Sequence, residues 1–401
     1  MNPNPHPVSE YQRAWQRFRR NRTAVAGAVF IVFSLLIALL SYALAPDHSP
    51  DANTQIPEIA LQDPGFQIDL LPLPLGAEAI PQNGVDFLLH GRPLRHRLVP
   101  VVAGSVRTER DSVFFQRYGS AGKTESLHLA RIFYAVQDSI RKDAGAWVFT
   151  TAGAAQQRIQ QGVLKARYQQ LSPLEHRRYL LGTDKYGRCI FSRLLLGFRV
   201  SLLVGGIAVF ISLTIGLTLG ALGGYFGGRL DDAVMLVVNS VWSIPTLLLV
   251  FAVVLALGRG IGVIFLAVGL TMWVDVARVV RGQVLVLRDM PFIEAARSMG
   301  LRSGRILFRH ILPNLLGPVM VVSAGNFATA ILLESGLGYL GFGVQPPSPS
   351  WGSMLNENYG YAISGKPLLA LAPALAIAIT VLAFNLVGNG LRDALDVKSR
   401  Q

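Results

Sequence analysis

The residues spaced for work in this chain form one short polar stretch, Asp289 to Asn314 (DMPFIEAARSMGLRSGRILFRHILPN), caught between two apolar segments. Asp289 is placed to cap a helix, Pro291 sits in its first turn where no donor is lost, and Gly300 is placed to end it. A second helix is predicted from near Ser303, leading through Pro313 into a long apolar run. Glu294 followed by Ala295 and Ala296 leaves backbone close to the surface, and Phe292, Ile293 and Met299 offer apolar contacts. Such a surface suits docking into another protein's groove. The arginines of the same stretch would equally suit a charged loop resting on the inner face of a membrane, and spacing alone leaves the two readings open.

Other chemistry finds little support. The seven histidines have no i, i+4 pairing in a helical setting, and the single Cys189 excludes both an intrachain disulfide framework and a cysteine-cluster metal site, so no metal is expected. There is no HExxH, no GxSxG and no catalytic pair within an apolar run. Ser120-Ala121-Gly122-Lys123-Thr124 has the ending of a phosphate-binding loop, but Arg117 stands where that motif demands glycine and no strand leads in. A turn before a helix is the reading adopted, and no nucleotide site, catalytic residue or cofactor is assigned to this chain.

The elements that must position the polar stretch are read from hydropathy. With 51% hydrophobic and 15% charged residues and a mean hydropathy of +0.41, the 401-residue chain has the composition of a membrane protein. A net charge of +13 would suggest nucleic acid in a soluble chain, but here the arginines cluster beside apolar runs, so lipid headgroups and orientation explain them and no nucleic acid is expected. Arg13, Arg17, Arg19, Arg20 and Arg22 precede an apolar run from Thr23 to Leu44, long enough to span a bilayer at roughly 20 residues and read as an uncleaved span with a cytoplasmic N-terminus.

From Pro46 to about Arg199 the composition turns mixed and polar. A central charge costs roughly 2.5 to 3.5 kcal/mol in a membrane helix, so no window there should span. The stretch 46–180 is therefore an extracytoplasmic insertion, with short strands predicted at Val85–Leu89 and Leu98–Val102 and a largely helical part from Thr124 to about Leu180. Further spans are predicted at Leu202–Gly224, Val234–Leu257, Ile261 to about Val280, Ile311–Leu333 and Leu368–Val387, before a polar tail from Arg392. The expected architecture is an all-α membrane protein of six helices, in three parts: 1–45, the insertion 46–180 between helices 1 and 2, and a core 181–401 that carries the loop 289–314. Gly205, Gly206, Gly216 and Gly220 are spaced for close helix approach. Polar groups inside spans are costly without a partner or water, so Asn239, Ser243, Asn326 and Asn385 are candidates for a solute pathway, with helix-to-helix hydrogen bonding as the competing role.

Two more blocks frame the core. Leu181 to Arg188 (LGTDKYGR), then Ser192-Arg193, Gly197 and Arg199-Val200-Ser201-Leu202, reads as a glycine turn feeding an arginine-studded interfacial helix. Glu334 to Gly352 (ESGLGYLGFGVQPPSPSWG) reads as a re-entrant or surface loop, its glycines allowing tight packing and Trp351 suited to a membrane interface.

Glu294-Ala295-Ala296 with Gly300 and His310-Ile311-Leu312-Pro313-Asn314 resembles the EAA loop of ATP-binding-cassette importer permeases, and the other two blocks resemble those of the dipeptide and oligopeptide branch, as a C-type subunit. The likeness covers a little over half of the chain and does not reach Asp51 to about Leu171. It implies a permease without its own ATPase, paired with a homologous permease, two ATPase subunits that dock at Glu294, Ala295, Ala296, Gly300, Leu312 and Pro313, and an extracytoplasmic binding protein. ATP would then act only on the partner subunits. The family usually has aspartate where this chain has Cys189. A permease for nickel or another small solute is the nearest alternative; an ion-coupled carrier would call for ionisable residues at mid-span, whereas Asp275 and Glu334 are expected near span ends.

Overall fold

The computed structural model describes residues 10–76, 82–120 and 122–395. A short basic helix, α1 (Glu10–Arg20), leads into α2 (Arg22–Leu44), 23 residues of mostly apolar sequence. Within it Ser34 Oγ donates to the Phe30 carbonyl at 2.8 Å, the usual way a helix hides a serine from lipid.

The insertion is mixed. In chain order it holds β1 (Phe66–Pro74), α3 (Gly84–His90), β2 (His96–Val101), β3 (Arg107–Glu109), β4 (Ser112–Gln116), β5 (Thr124–His128), α4 (Ala130–Phe133), β6 (Arg141–Asp143), β7 (Ala146–Thr150), β8 (Gln156–Gln160), α5 (Val163–Leu171) and β9 (Glu175–Tyr179). Three antiparallel sheets of three strands result, ordered β2-β1-β9, β3-β4-β5 and β6-β7-β8. Leu71, Val99, Val101, Val113, Phe115, Leu129, Phe149 and Leu164 fill one core between them.

Three expectations are corrected here. The stretch from Thr124 holds five strands and only two short helices, and a two-residue turn with positive φ at Ala144 and Gly145 folds 141–150 into a hairpin. Val85–Leu89 lies in α3 and is not a strand, whereas Leu98–Val101 lies in β2 as expected. Likewise Lys123 and Thr124 lead into β5 rather than a helix; Ala121 lies outside the described residues.

After the insertion come α6 (Ile190–Phe226), α7 (Gly228–Trp242), α8 (Thr246–Leu257), α9 (Ile261–Arg288), α10 (Pro291–Ser298), α11 (Ser303–Ile306), α12 (Leu316–Tyr339), α13 (Trp351–Ile363) and α14 (Leu368–Leu395). Among the described residues, five helical stretches are long and apolar enough to cross a membrane, and six if α7 and α8, bent by 90° at their break, count as one span. The described chain divides into two compact units: one is built on Gly197–Glu357 with the stretches before Leu39 and after Ala370, the other on Leu40–Leu196 with Asn358–Leu369. The predicted interfacial helix before Leu202 is the first part of α6, which runs 37 residues without interruption. The tail beyond Leu395 lies outside the described residues.

Candidate functional site

The polar stretch folds as a short helix packed on one face against its own chain. Met290, rather than Asp289, occupies the N-cap of α10, and Asp289 instead closes the C-terminus of α9; Pro291 takes the first turn as expected. At the other end Gly300 has φ +75°, its N–H reaching the Arg297 carbonyl at 2.9 Å while the Leu301 N–H reaches the Ala296 carbonyl at 3.2 Å. That pair of bonds is a Schellman motif, which a side chain at 300 would strain. Ser303 starts α11 as predicted; Leu307–Ile311 then widens into a π-turn, and Leu312–Leu315 tightens around Pro313, whose ring cannot continue the ordinary ladder.

The two faces of α10 divide the predicted contact residues. Ile293 and Ala296 are buried in a cluster with Val280, Val284, Ile306, Ile311 and Leu315, so they pack against their own chain. Phe292, Glu294, Ala295 and Met299 face outward, Met299 being 73% exposed. Pro313 is exposed and Leu312 half-buried.

Asp231 accepts two hydrogen bonds from Arg281, at 2.5 Å to Nε and 2.6 Å to Nη2, joining the start of α7 to α9. Arg288 donates to the Gly224 carbonyl at 3.0 Å. Between these polar ties α6 lies so close to α9 that a Cβ on Gly216 would stand 2.5 Å from Val276 Cβ, and one on Gly220 would stand 2.5 Å from the Ala277 carbonyl oxygen. The predicted close approach at these glycines is therefore present, and the Asp231–Arg281 fork was missed because its members are 50 residues apart with no local signal.

The four pathway candidates separate. Asn326 is buried and its amide lies 3.4 Å from both Ser212 Oγ and the Met272 carbonyl, the geometry of interhelical bonding. Asn239 accepts from Arg278 at 2.8 Å, and Arg278 also lies 4.0 Å over the Trp242 ring. Ser243 sits at the α7–α8 break and bonds back to the Ser240 carbonyl, while Asn385 is exposed on α14.

Of the two acids expected near span ends, Glu334 does lie in the last two turns of α12, whereas Asp275 does not lie at the end of α9. Asp275 lies about halfway along α9, because that helix continues to Arg288, and Glu334 is fully buried in α12. Glu334 Oε2 lies 3.4 Å from the hydroxyls of Ser201 and Ser335, and its Oε1 has no hydrogen-bond partner among the described residues.

The two framing blocks are more internal than their composition suggests. In the second unit, Arg188 and Arg193 are each 2% exposed, so they are not studs on an interfacial helix. Arg188 Nε donates to Asp184 Oδ2 at 2.6 Å, and Asp184 Oδ1 accepts the backbone N–H groups of Tyr186 and Arg188. Around them Ile56, Ile59, Tyr179 and Cys189 form a core in which burial pushes the Cys189 thiol up and the Tyr179 hydroxyl up to about 12. In the first unit, Trp351 is wholly buried rather than interfacial: it meets Phe198 edge to face at 4.7 Å, in a notch where a Cβ on Gly197 would lie 2.4 Å from its ring. Gly338 and Gly343 do pack backbone to backbone, but Gly336 and Gly341 have open space around them.

Parts of the chain are similar to known proteins. Residues 216–401 match the family described as binding-protein-dependent transport system inner membrane component, and residues 9–64 match the N-terminal TM domain of oligopeptide transport permease C. The oligopeptide transport system permease protein OppC of Bacillus subtilis (strain 168) is 40% identical over 220 residues, covering 55% of this chain and 72% of the relative. The glutathione transport system permease protein GsiD of Pectobacterium atrosepticum is 43% identical over 231 residues, covering 58% and 76%. The dipeptide transport system permease protein DppC of Bacillus subtilis (strain 168) is 40% identical over 220 residues, covering 55% and 69%. Among solved structures, an inward-facing form of the MetNI methionine transporter aligns with TM-score 0.42 and 22% identity over 51% of this chain and 96% of that one.

Proposed function

The chain belongs to the family of inner membrane components of binding-protein-dependent transport systems, as a permease of the peptide-importer kind, and from that premise we propose that it moves peptides inward across the cytoplasmic membrane with force supplied by separate ATPase subunits. The single observation that carries the coupling part is the two-faced α10: Ile293 and Ala296 are packed against their own chain while Phe292, Glu294, Ala295 and Met299 are offered outward. A helix fixed on one side and exposed on the other transmits a push; one buried on both sides could not be gripped.

In this reading the α10 end of the bundle is cytoplasmic. Arg278, Arg281, Arg288, Arg297, Arg302, Arg305 and Arg309 then lie where short-loop cations belong, and the N-terminus with its five arginines is on the same side when α7 and α8 form one broken span of six. The insertion 46–180 then faces the opposite compartment, where an extracytoplasmic binding protein delivers substrate. A homologous permease completes the path, and Leu312 and Pro313 belong to the docking seat together with Gly300. ATP binding closes the ATPases, α10 moves with them as a lever, and the helices tied to it through Asp231–Arg281 rearrange.

The test is co-purification and ATP-driven uptake of the full transporter with Glu294→Lys or Met299→Glu in this subunit. Both positions are exposed, so the subunit should stay folded while ATPase association and uptake fall together. Undiminished uptake by both variants would remove α10 from the coupling path.

A further inference from the structure

The break between α7 and α8 opens a cavity of about 160 Å³, lined by Trp242, Pro245, Thr246, Leu249, Thr271 and Asp275 among others. It is spacious for water, since one molecule needs roughly 10–15 Å³ of such space. Asp275 is the first charge after the uncharged run 261–274 of α9 and lies about 20 Å along the helix from Arg288 at 1.5 Å per residue. It is exposed and has neither a hydrogen-bond nor an ion-pair partner among the described residues. A carboxylate at such a depth is expensive unless it meets a cation, a donor or water, which makes it a functional group by default.

The obvious local partners are occupied elsewhere. Arg278, one turn on, is bonded to Asn239 and stacked on Trp242, and it does not line the cavity. The free N–H groups at the start of α8 also point to this end of the break, yet Asp275 makes no capping bond to them. Broken helices in transporters commonly present such ends to the solute. The cavity thus holds a carboxylate and is lined as well by Thr246, the first residue of α8, whose N-terminal turn carries free backbone donors. That combination suits a ligand with an ammonium nitrogen three bonds from a carbonyl oxygen, which is the first residue of a peptide.

We propose that Asp275, in the cavity at the α7–α8 break, binds the α-ammonium group of the peptide in transit. The inference rests on the peptide-import reading above and names the contact by which the path would recognise its cargo. A bare inorganic cation fits less well, because the partial positive charge at the start of α8 opposes it.

The experiment has two arms in the complete transporter, reconstituted with its partner permease, ATPases and binding protein. In the first, Thr246→Cys is labelled with a cationic and an anionic methanethiosulfonate; the native Cys189 is buried and stays in place. Labelling should favour the cationic reagent on the order of tenfold, and Asp275→Asn should erase that preference. An unreactive Cys, or no preference, overturns the site. In the second arm, uptake of trialanine and glutathione is compared with that of their N-acetyl forms. Asp275→Asn should lower uptake of the free-amine peptides about tenfold and leave the slow N-acetyl uptake unchanged, with Asp275→Glu retaining most transport. Full uptake by Asp275→Asn overturns the proposal, as does loss of the partner permease on co-purification, which would make Asp275 half of an intersubunit ion pair. If the unaltered transporter takes up neither peptide, the peptide reading fails, and the labelling arm still decides whether the cavity selects cations.

Discussion

Residues 181–193 and 289–309 are each a glycine-containing turn studded with arginines, and they dispose of their charges in opposite ways. In the first, Arg188 and Arg193 are almost wholly buried, with Asp184 supplying a carboxylate four residues from Arg188 and accepting two backbone donors as well. In the second, Arg297, Arg302, Arg305 and Arg309 are exposed, and what is buried is aliphatic: Ile293, Ile306, Leu307 and Ile311. A buried arginine fixes one conformation at high cost if its partner is lost, whereas an exposed one is held by little and remains open to another molecule. The difference separates a stretch whose charges are tied inside from one whose charges are left open to another molecule.

The strongest way to break this contrast is Asp184→Ala. Removing one member of a buried pair should destabilise the second unit by about 3–5 kcal/mol, read as a lower thermal midpoint in detergent and faster proteolysis between 46 and 180. Asp184→Ala combined with Arg188→Met should recover much of that loss, because no uncompensated charge then remains. A single variant that melts with the unaltered protein would mean that Arg188 is not held as the contrast requires.

Next in size is the base of the lever. Gly220→Leu would drive its side chain into the Ala277 carbonyl, a clash expected to cost about 1–3 kcal/mol and to loosen α6 from α9. Gly282→Ala, on the exposed side of α9 with nothing near its Cβ position, should do the reverse by about 0.5–1 kcal/mol. Equal melting of the two variants would show that the base is not close-packed.

How much of this is legible in the string depends on whether the signal is local. The helix ends at Pro291, Gly300 and Ser303, the long apolar helices and the glycine contacts of Gly216 and Gly220 are read from residues within a turn or two of each other. The 90° break at Ser243–Pro245 carried its proline in plain view, but a proline in an apolar run kinks or breaks a helix by amounts the string does not fix. The inward arginines, the buried Trp351 and the Asp231–Arg281 fork needed partners supplied from far along the chain: Gly197 for the tryptophan, a second helix for the aspartate. The hairpin at Ala144–Gly145 is a different miss, since Asp143-Ala144-Gly145 is a local turn signal that a helical reading of 124–180 overrode.

A weaker effect should appear with pH. His128 lies in the insertion against Trp147, ring centroids 4.5 Å apart, with its Nδ1 accepting the Ala130 N–H at 3.2 Å. Burial holds its pKa below the ordinary 6.5, outweighing the raising influence of Asp111, with Arg131 lowering it further. The unfolded chain therefore binds this proton more readily, so the stabilising contribution is complete above 6.5 and is lost as the pH falls from 6.5 through the lowered folded value. Unfolding midpoints of the second unit should decline over that window, and His128→Gln should flatten the decline. A midpoint that rises on acidification would mean His128 has a carboxylate partner after all, making the insertion's interior more like the Asp184–Arg188 knot.

The smallest effect on folding should come from Arg302→Ala with Arg305→Ala, within about 0.5 kcal/mol, because both side chains are exposed and the backbone bonds of α11 do not depend on them. Function gives the sharper measure. If the lever is handled by an ATPase subunit, these cations contribute to approach and register across solvent, where a Debye length of about 8 Å at physiological salt screens them. Association of the subunits should then weaken as salt is raised for the unaltered chain, and the double variant should associate more weakly at low salt while showing a shallower salt dependence. The two quantities move independently: a melting point that drops by several degrees would place Arg302 and Arg305 with Arg188 and Arg193 as internal ties, whereas an unchanged melting point with an unchanged salt profile would leave Phe292, Glu294, Ala295 and Met299 as the whole of the grip.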